Sequence, residues 1–142
     1  MGDGSSGRHW TALKEMLPKA KFRDETHVIQ HMQRYRTKSE IDQIRASAQL
    51  MDIGFQAACH ACRLGVTDHE LFAAFTFAQM ARGGENADGY QIGANAWGTH
   101  IGKAYGHTIV SGDLINFYVS GISYRGYTAQ MARMIAVGTI NS

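Results

Sequence analysis

The sequence lacks a strong charge excess and a long apolar run, and each absence excludes a class of protein. Lysine and arginine number 14 against 12 aspartate and glutamate residues, so the net charge is +2. A dedicated nucleic-acid-binding protein has a far larger basic excess. No apolar run approaches the roughly 20 residues that a membrane-spanning helix needs. We therefore expect neither a nucleic acid nor a membrane as a partner.

Two further shortages concern targeting and cysteine chemistry. The opening "MGDGSSGRHW" has no basic segment followed by an apolar one, so we expect no signal peptide and a cytoplasmic location. The two cysteines, Cys59 and Cys62, form a single CxxC pair, whereas a structural zinc site takes four ligands. We interpret the pair as small core residues one helical turn apart, with a redox or metal role as the alternative.

One stretch, "FYVSGISYRGYTAQMAR" from Phe117 to Arg133, has no aspartate and no glutamate. It is typical of two extended segments joined by a tight corner, with Gly121 and Gly126 at the points of change. Whether the missing carboxylates matter depends on the rest of the chain.

Hydrophobic residues make up 44% of the 142 residues, enough for one folded domain or one piece of a larger one. Short helices are predicted in "HWTALKEMLP" and "HVIQHMQRYR". A long helix is predicted to begin at Ser39, the N-cap, and to end before Gly65. The apolar residues that recur at helical spacing along it are Ile41, Ile44, Ala48, Met51, Phe55, Ala58 and Cys62.

A second long helix has the clearest signals. Thr67 and Glu70 form a capping box, and Gly83 and Gly84 end the helix. Its predicted apolar face consists of Leu71, Phe72, Phe75, Ala78 and Met80. Strands are then predicted in "YQIGANAW", "GHTIV", "DLINFYV" and "YTAQMARMIAV". Two long helices packed on an antiparallel β meander indicate an α+β fold.

The order of the motifs is specific. It runs "RTKSEI", "GVTDHEL", "GANAWGTH", Gly112-Asp113, and then Gly126-Tyr127 with Arg133. This series resembles the superfamily of creatinase, aminopeptidase P, prolidase and methionine aminopeptidase, although Met134 stands where threonine is usual. The resemblance covers about residues 34–138.

The resemblance implies half of a pita-bread fold. A full catalytic domain of this kind has two related halves, and the second half supplies further His and Glu residues to the site. Residues 34–142 correspond to the N-terminal half, and residues 1–33 to a flexible N-terminus and connector. The resemblance therefore implies a fragment, or a subunit whose site is completed by a partner chain or by a homo-oligomer.

Metal-dependent members of the superfamily carry two Asp side chains on the final hairpin. Divalent cations need such oxygen ligands, and two carboxylates offset two closely spaced positive charges. Here the first position falls on Tyr118, or on Val119 when counted back from the second position, and the second falls on Gln130. Because these side chains cannot replace a pair of anionic ligands, we expect no catalytic metal and no cofactor.

Creatinase shares the fold and works without a metal, using a histidine as proton shuttle. Its motif resembles "GANAWGTH", including Gly98, and this implies that His100 is the general base or acid. An imidazole with a pKa of about 6.5 suits proton relay at neutral pH. A loop histidine with a structural hydrogen bond is the alternative. Trp97, Tyr118 and Gln130 are expected to shape the substrate pocket, with core packing as the alternative for Trp97.

Two hypotheses follow for the function. In the first, the chain is part of a creatinase-like or Xaa-Pro peptidase-like hydrolase that acts without metal on a small C–N substrate. Creatinase-like members carry a glutamate at the position of Ala132, so a cationic amidine substrate requires an acid from the partner. In the second, the chain is a non-catalytic remnant that acts as a binding or assembly module.

Overall fold

The computed structural model describes residues 7–85, 89–95 and 102–139. The chain divides into two compact units, Met1–Tyr35 and Arg36–Ser142. The sequence places a boundary between residues 33 and 34, close to the division between residues 35 and 36.

The first unit contains the two short helices that the sequence predicts. Helix α1 spans Gly7–Met16 and helix α2 spans Thr26–Arg34, and neither has a buried residue. The Trp10 ring packs edge-on against Phe22, with 5.0 Å between the ring centroids. The Lys14 ammonium lies 4.9 Å from the centre of the Trp10 ring, a cation–π distance.

The second unit contains two long helices and a three-stranded antiparallel sheet. The helices are α3, Lys38–Ala61, and α4, Asp68–Met80; the strands are β1, Gly89–Ala94, β2, Leu114–Tyr124, and β3, Tyr127–Ala136. The strands pair in the order β1–β2–β3. The prediction of an α+β fold with two long helices and an antiparallel meander is confirmed.

The segment "GHTIV" is not a strand of this sheet, and that prediction is wrong. Its backbone pairs instead with the turn between α3 and α4. The Ile109 N–H donates to the Val66 carbonyl at 2.8 Å, and the Gly65 N–H donates to the Ile109 carbonyl at 2.9 Å. The β-branched residues therefore satisfy their backbone groups away from the sheet.

Both long helices begin with a capping box. At α4 the box is Thr67 and Glu70, as predicted. At α3 it is Thr37 and Glu40, so the prediction of Ser39 as the N-cap is wrong. The Thr37 N–H donates to the Glu40 carboxylate at 2.7 Å, and the Glu40 N–H donates to the Thr37 hydroxyl at 3.3 Å. This reciprocal pair satisfies donors that the helix leaves free.

The buried stripe of α3 is rotated from the predicted one. Met51 and Ala58 are buried as expected, but Ile41 and Ala48 are exposed. The buried residues of α3 are Ser47, Leu50, Met51, Gly54 and Ala58.

Small residues account for this rotation. The Ser47 hydroxyl donates to the Tyr127 carbonyl of β3 at 2.5 Å. A Cβ atom on Gly54 would lie 2.9 Å from the Phe75 ring, so glycine is what lets α4 approach α3 here. A helical pattern of apolar residues does not count Ser or Gly, so it could not predict these contacts.

Helix α4 departs from its predicted face at its C-terminal end. Leu71, Phe75 and Ala78 are buried as expected, whereas Met80 is 48% exposed and Gln79 takes the buried position. A Cβ atom on Gly84 would collide with the Gln79 side chain, which explains the glycine after the helix.

Strand β2 has two different faces. Ile115, Phe117 and Val119 are buried in the core. The Phe117 ring lies 5.7 Å from Phe55 of α3 and 6.0 Å from Phe75 of α4, centroid to centroid, so this face packs against both helices. We call the opposite face of the sheet the inner face.

The β2–β3 hairpin has the predicted tight corner. Arg125 and Gly126 form its two-residue turn with φ values of 53° and 79°, the left-handed region that such turns require. The register shifts between Ser120 and Ile122, where Gly121 has a φ of 88°. Glu85 accepts hydrogen bonds from the Gly126 N–H at 3.0 Å and thereby helps to hold the turn.

Candidate functional site

The inner face carries the two hairpin residues that the sequence analysis placed in the site. Tyr118 is half-buried, Gln130 is exposed, and the Gln130 amide Nε2 donates a hydrogen bond to the Tyr118 hydroxyl. Val119, the other residue considered for the first position, is buried in the core on the opposite face. Tyr118 is therefore the residue that shares a face with Gln130.

The side chains of the inner face follow from strand alternation and register. On β1 they are Gln91 and Gly93; on β2, Leu114, Asn116, Tyr118, Ser120 and Ser123; on β3, Thr128, Gln130, Ala132, Met134 and Ala136. They include amides, hydroxyls, apolar groups and small residues. Among the strand residues that the structure describes, none on this face carries a charge.

A divalent metal does not fit the donor set that this hairpin offers. Hard divalent cations need carboxylate oxygens, and a pair of them needs more than one negative charge nearby. Tyr118 offers a phenol and Gln130 a carboxamide, both neutral, and they bond to each other. In residues 7–85, 89–95 and 102–139, no three His, Cys, Asp or Glu side chains come together in a way that could hold a metal ion.

Ala132 lies directly opposite Tyr118 in the register of the hairpin. Its methyl group stands where the resemblance to creatinase-like proteins implies a glutamate, so this strand presents no carboxylate for a cationic substrate. Arg133, the next residue, donates from Nη1 to the Ala132 carbonyl at 2.9 Å. This contact gives Arg133 a structural partner on its own strand.

Two predicted site residues, Trp97 and His100, lie outside the described residues. The described residues on either side of them are tied to the sheet. The Ile92 N–H of β1 donates to the Gly102 carbonyl at 3.2 Å. The Asn95 side chain accepts from the Leu114 N–H of β2 at 2.9 Å. The chain therefore leaves β1 and returns to it beside the start of β2.

A buried carboxylate anchors this end of the sheet. Asp113 accepts from the His107 ring at 2.7 Å, from the Val110 N–H at 2.8 Å and from the Asn95 amide at 2.7 Å. Burial alone raises the pKa of the Asp113 carboxyl. The hydrogen bonds from Val110, Asn95 and His107 outweigh it and hold that pKa below its usual value.

The bond from the Val110 N–H shows that Asp113 caps the turn before β2. The sequence analysis did not predict its two other partners, Asn95 and His107. The residue type at position 95 was an available signal. Asn95 has a φ of 52°, a left-handed conformation that Asn tolerates better than most residues. His107 is a partner of this carboxylate, which gives it a structural role.

Asp68 is a second buried carboxylate that the sequence analysis did not single out. It is fully buried at the start of α4 and accepts from the Tyr105 N–H at 3.0 Å and the Gly106 N–H at 2.9 Å. The Asp68 N–H in turn donates to the His107 carbonyl at 3.0 Å. This exchange fixes residues 105–107 against the helix.

The cysteine pair differs from its interpretation as two core residues. Cys59 is exposed and Cys62 is partly buried against the core, and both are free thiols. Burial raises the pKa of both thiols, so neither is activated as a thiolate. The alternative of a redox role gains no support from this environment.

None of the helices in residues 7–85 is long and apolar enough to cross a bilayer.

Comparison with protein families gives a match over most of the chain. The model described as Metallopeptidase family M24 matches residues 42–142. The chain is also similar to an Xaa-Pro dipeptidase of Lactobacillus delbrueckii subsp. lactis, with 26% identity over 141 residues. That alignment covers 96% of this chain and 38% of the dipeptidase. The chain thus spans little more than a third of this relative.

Solved structures agree on the fold. A prolidase from Pyrococcus horikoshii superposes with a TM-score of 0.89 at 23% identity, covering 98% of this chain and 40% of the prolidase. An X-Pro aminopeptidase from Thermotoga maritima gives a TM-score of 0.85 at 20% identity, covering 96% and 38%. At these identities the likeness shows the fold alone. It confirms the prediction of a partial pita-bread fold.

Proposed function

Since this chain belongs to metallopeptidase family M24, we propose that it forms part of a hydrolase that cleaves a C–N bond of a small substrate without a catalytic metal. Its relatives by sequence include an Xaa-Pro dipeptidase, and its structural neighbours include a prolidase. Hydrolysis at a C–N bond is the chemistry those names share.

The hydrogen bond between Gln130 and Tyr118 is the observation that carries the metal-free part of the proposal. Both side chains are neutral, and each uses part of its hydrogen-bonding capacity on the other. A metal bound at this hairpin would have to break that bond and would gain no anionic ligand in return. Proton transfer by a side chain is the chemistry that remains available to this half of the site.

His100 is the proposed proton shuttle. A histidine positioned at the reacting group contributes roughly 10² to 10⁴ in rate as a general acid or base. His100 follows Asn95 and precedes Gly102, the two described residues whose bonds tie this part of the chain to the sheet. In this proposal Trp97, Tyr118 and Gln130 shape the pocket beside it.

A second chain, or a second copy of this one, is proposed to complete the site. This chain covers 38% of the length of the two Xaa-Pro dipeptidases it matches. The inner face of its sheet is open to solvent at Gln130, Ala132 and Met134. An open face of this kind favours association, because it exposes the Met134 side chain and the free edge of β3. A cytoplasmic location is part of the same proposal.

The native assembly is the material for the test. The protein is isolated from its source cells, its mass is measured, and the co-purifying chains are identified. Hydrolysis of a panel of small amides, ureides and Xaa-Pro dipeptides is then assayed before and after exhaustive chelation. We expect turnover that survives chelation and that falls at least about a hundredfold in His100→Ala.

His60→Ala is the matched control, because His60 is exposed near the end of α3. It should leave turnover unchanged. Turnover that disappears on chelation and returns with added Mn²⁺ would contradict the metal-free proposal. Turnover that survives in His100→Ala would contradict the proton-shuttle role.

The absence of charged side chains among the described strand residues of the inner face also favours a second candidate function. A catalytic remnant that has lost its reacting groups can persist as a binding or assembly module. In that case the partner chain co-purifies equally well with wild type and His100→Ala, and neither assembly turns over any substrate of the panel.

A further inference from the structure

The Gln130–Tyr118 pair leaves a defined set of hydrogen-bonding groups unused. The Gln130 Nε2 donates one of its two N–H groups to the Tyr118 oxygen, so the Tyr118 O–H, the second Gln130 N–H and the Gln130 Oε1 remain. Within the part of the chain that the structure describes, neither side chain makes another hydrogen bond. The pair therefore presents hydrogen-bond donors and an acceptor side by side.

This result does not depend on which way the amide is turned. If the Tyr118 hydroxyl instead donates to the Gln130 oxygen, both amide N–H groups become free donors and the phenol oxygen becomes a free acceptor. In either arrangement the pair offers at least one donor and one acceptor. A ligand that uses both kinds of group must itself carry an acceptor and a donor on neighbouring atoms.

The neighbours of the pair on the sheet are small or neutral. Ala132 lies opposite Tyr118 on β3, and Gln91 lies opposite it on β1. Ser120 lies opposite Gln130. The Ala132 side chain is only a methyl group, so it adds little bulk beside the Tyr118 phenol. Gln91 and Ser120 add neutral polar groups along the same rows of the sheet.

The charge of this face indicates what kind of group binds there. None of the described strand residues of the inner face carries a formal charge. One described carboxylate, that of Glu85, lies at the hairpin-turn end of this face, where it accepts from the Ser123 hydroxyl and the Gly126 N–H. A carboxylate, ammonium or guanidinium placed against this wall would lose water without gaining an opposite charge from it. An uncharged group with one donor and one acceptor meets no such cost.

We infer that the Gln130–Tyr118 pair binds an uncharged carboxamide or ureide through both its C=O and its N–H. The inference rests on the proposed function and names the substrate class for that site. It also separates this chain from the substrate in its relatives' names. An Xaa-Pro bond has no N–H, because proline closes a ring on that nitrogen, so it can satisfy only one member of the pair.

Two small amides that differ only in the N–H test this directly. N-methylacetamide has the donor, and N,N-dimethylacetamide has a methyl group in its place. Each is titrated into the full chain while the side-chain NH₂ signals of Gln130 are followed by NMR. We expect N-methylacetamide to bind about fivefold more tightly, the worth of one neutral hydrogen bond. Acetate and methylammonium, the charged probes, should bind more weakly than N-methylacetamide.

Two conservative variants show that the pair is responsible. Tyr118→Phe removes one member, and N-methylacetamide should then bind several-fold more weakly. Gln130→Glu keeps the shape but adds a negative charge, and methylammonium should become the preferred probe. Gln56→Glu adds the same charge on the exposed side of α3 and should change neither preference. Unchanged thermal unfolding of each variant establishes that the fold is intact.

Equal affinity for the two amides in the wild type, or tighter binding of acetate or methylammonium, would overturn the inference. Its failure is distinguishable from failure of the proposed function. If the amides are not discriminated but turnover still depends on His100, this inference is wrong and the hydrolase proposal stands. If the amides are discriminated and the native assembly has no turnover, the reverse holds.

Discussion

The two faces of strand β2 differ in character: one packs against the helices, and the other carries residues of the candidate site. The face toward the helices packs Phe117 between Phe55 and Phe75, and its residues are buried. The inner face carries the alternate residues of the strand, and among them is Tyr118, at the position where the resemblance to metal-dependent members implies an aspartate. Because side chains alternate along a strand, a chain can keep the packing of its family on one face and change the chemistry on the other.

The largest expected effect compares the two faces at neighbouring residues. Phe117→Ala should lower the free energy of unfolding by about 3–5 kcal/mol, because it leaves a cavity between the two helices. Tyr118→Ala, on the inner face, should cost about 1 kcal/mol. Urea unfolding of both variants measures the difference. Equal losses would show that the inner face is also part of the core.

The next effect concerns the carboxylate at the start of β2. Asp113→Asn should lower the free energy of unfolding by about 2 kcal/mol at neutral pH, because a neutral amide cannot serve three donors equally. Asp52→Asn, on the exposed side of α3, is the matched control and should cost little.

The pH dependence of this loss has a definite sign. The pKa of Asp113 in the folded chain lies below its ordinary value of 3.8. The stabilisation is therefore complete above that ordinary value and disappears as the pH falls through the folded pKa. Unfolding measured between neutral and strongly acidic pH should show wild type and Asp113→Asn converging in acid. A constant gap would contradict the assignment.

A smaller effect is expected at the helix caps that support the packed face. Thr67→Ala should cost about 1 kcal/mol, because the Glu70 N–H loses its acceptor at the start of α4. Thr67→Ser keeps the hydroxyl and should restore most of the loss. Thermal unfolding of the three proteins tests the cap. A serine variant as unstable as the alanine variant would assign the loss to the threonine methyl group instead.

The smallest effect is expected for metal binding on the inner face. The double variant Tyr118→Asp with Gln130→Asp places two carboxylates on the hairpin, and its free energy of unfolding should fall by about 1 kcal/mol, as that of Tyr118→Ala does. Added Mn²⁺ should raise its melting temperature, because the ion offsets the repulsion between the carboxylates. Wild type should not respond. The same response in both proteins would place the ion elsewhere.

Sequence signals that act over a few residues predicted the fold well wherever no similar signal lay close by. The Thr67 and Glu70 box and the Gly126 corner each act over a few residues, and each stands where expected. At α3 two similar patterns compete two residues apart, and pattern alone did not favour Thr37 over Ser39. The rotation of the α3 stripe rests on Ser47 and Gly54, whose contacts are made across the fold.

For the candidate site, too, the local contacts were predictable from the sequence and the long-range ones were not. Tyr118 and Gln130 lie on one hairpin, so the spacing already brought them close. The contacts of Asp68 with residues 105 and 106 span 37 and 38 residues, and no local pattern reports them. Trp97 and His100 remain predictions, because they lie outside the described residues.

The central claim is that this hairpin does not hold a catalytic metal, and a Mn²⁺ titration of the wild-type chain followed by NMR tests it most directly. Mn²⁺ broadens the signals of nuclei near it, and the Tyr118→Asp, Gln130→Asp double variant is the positive control. We expect selective broadening around residues 118 and 130 in the double variant and none there in the wild type. Selective, saturable broadening of the Gln130 side-chain signals in the wild type would contradict the account.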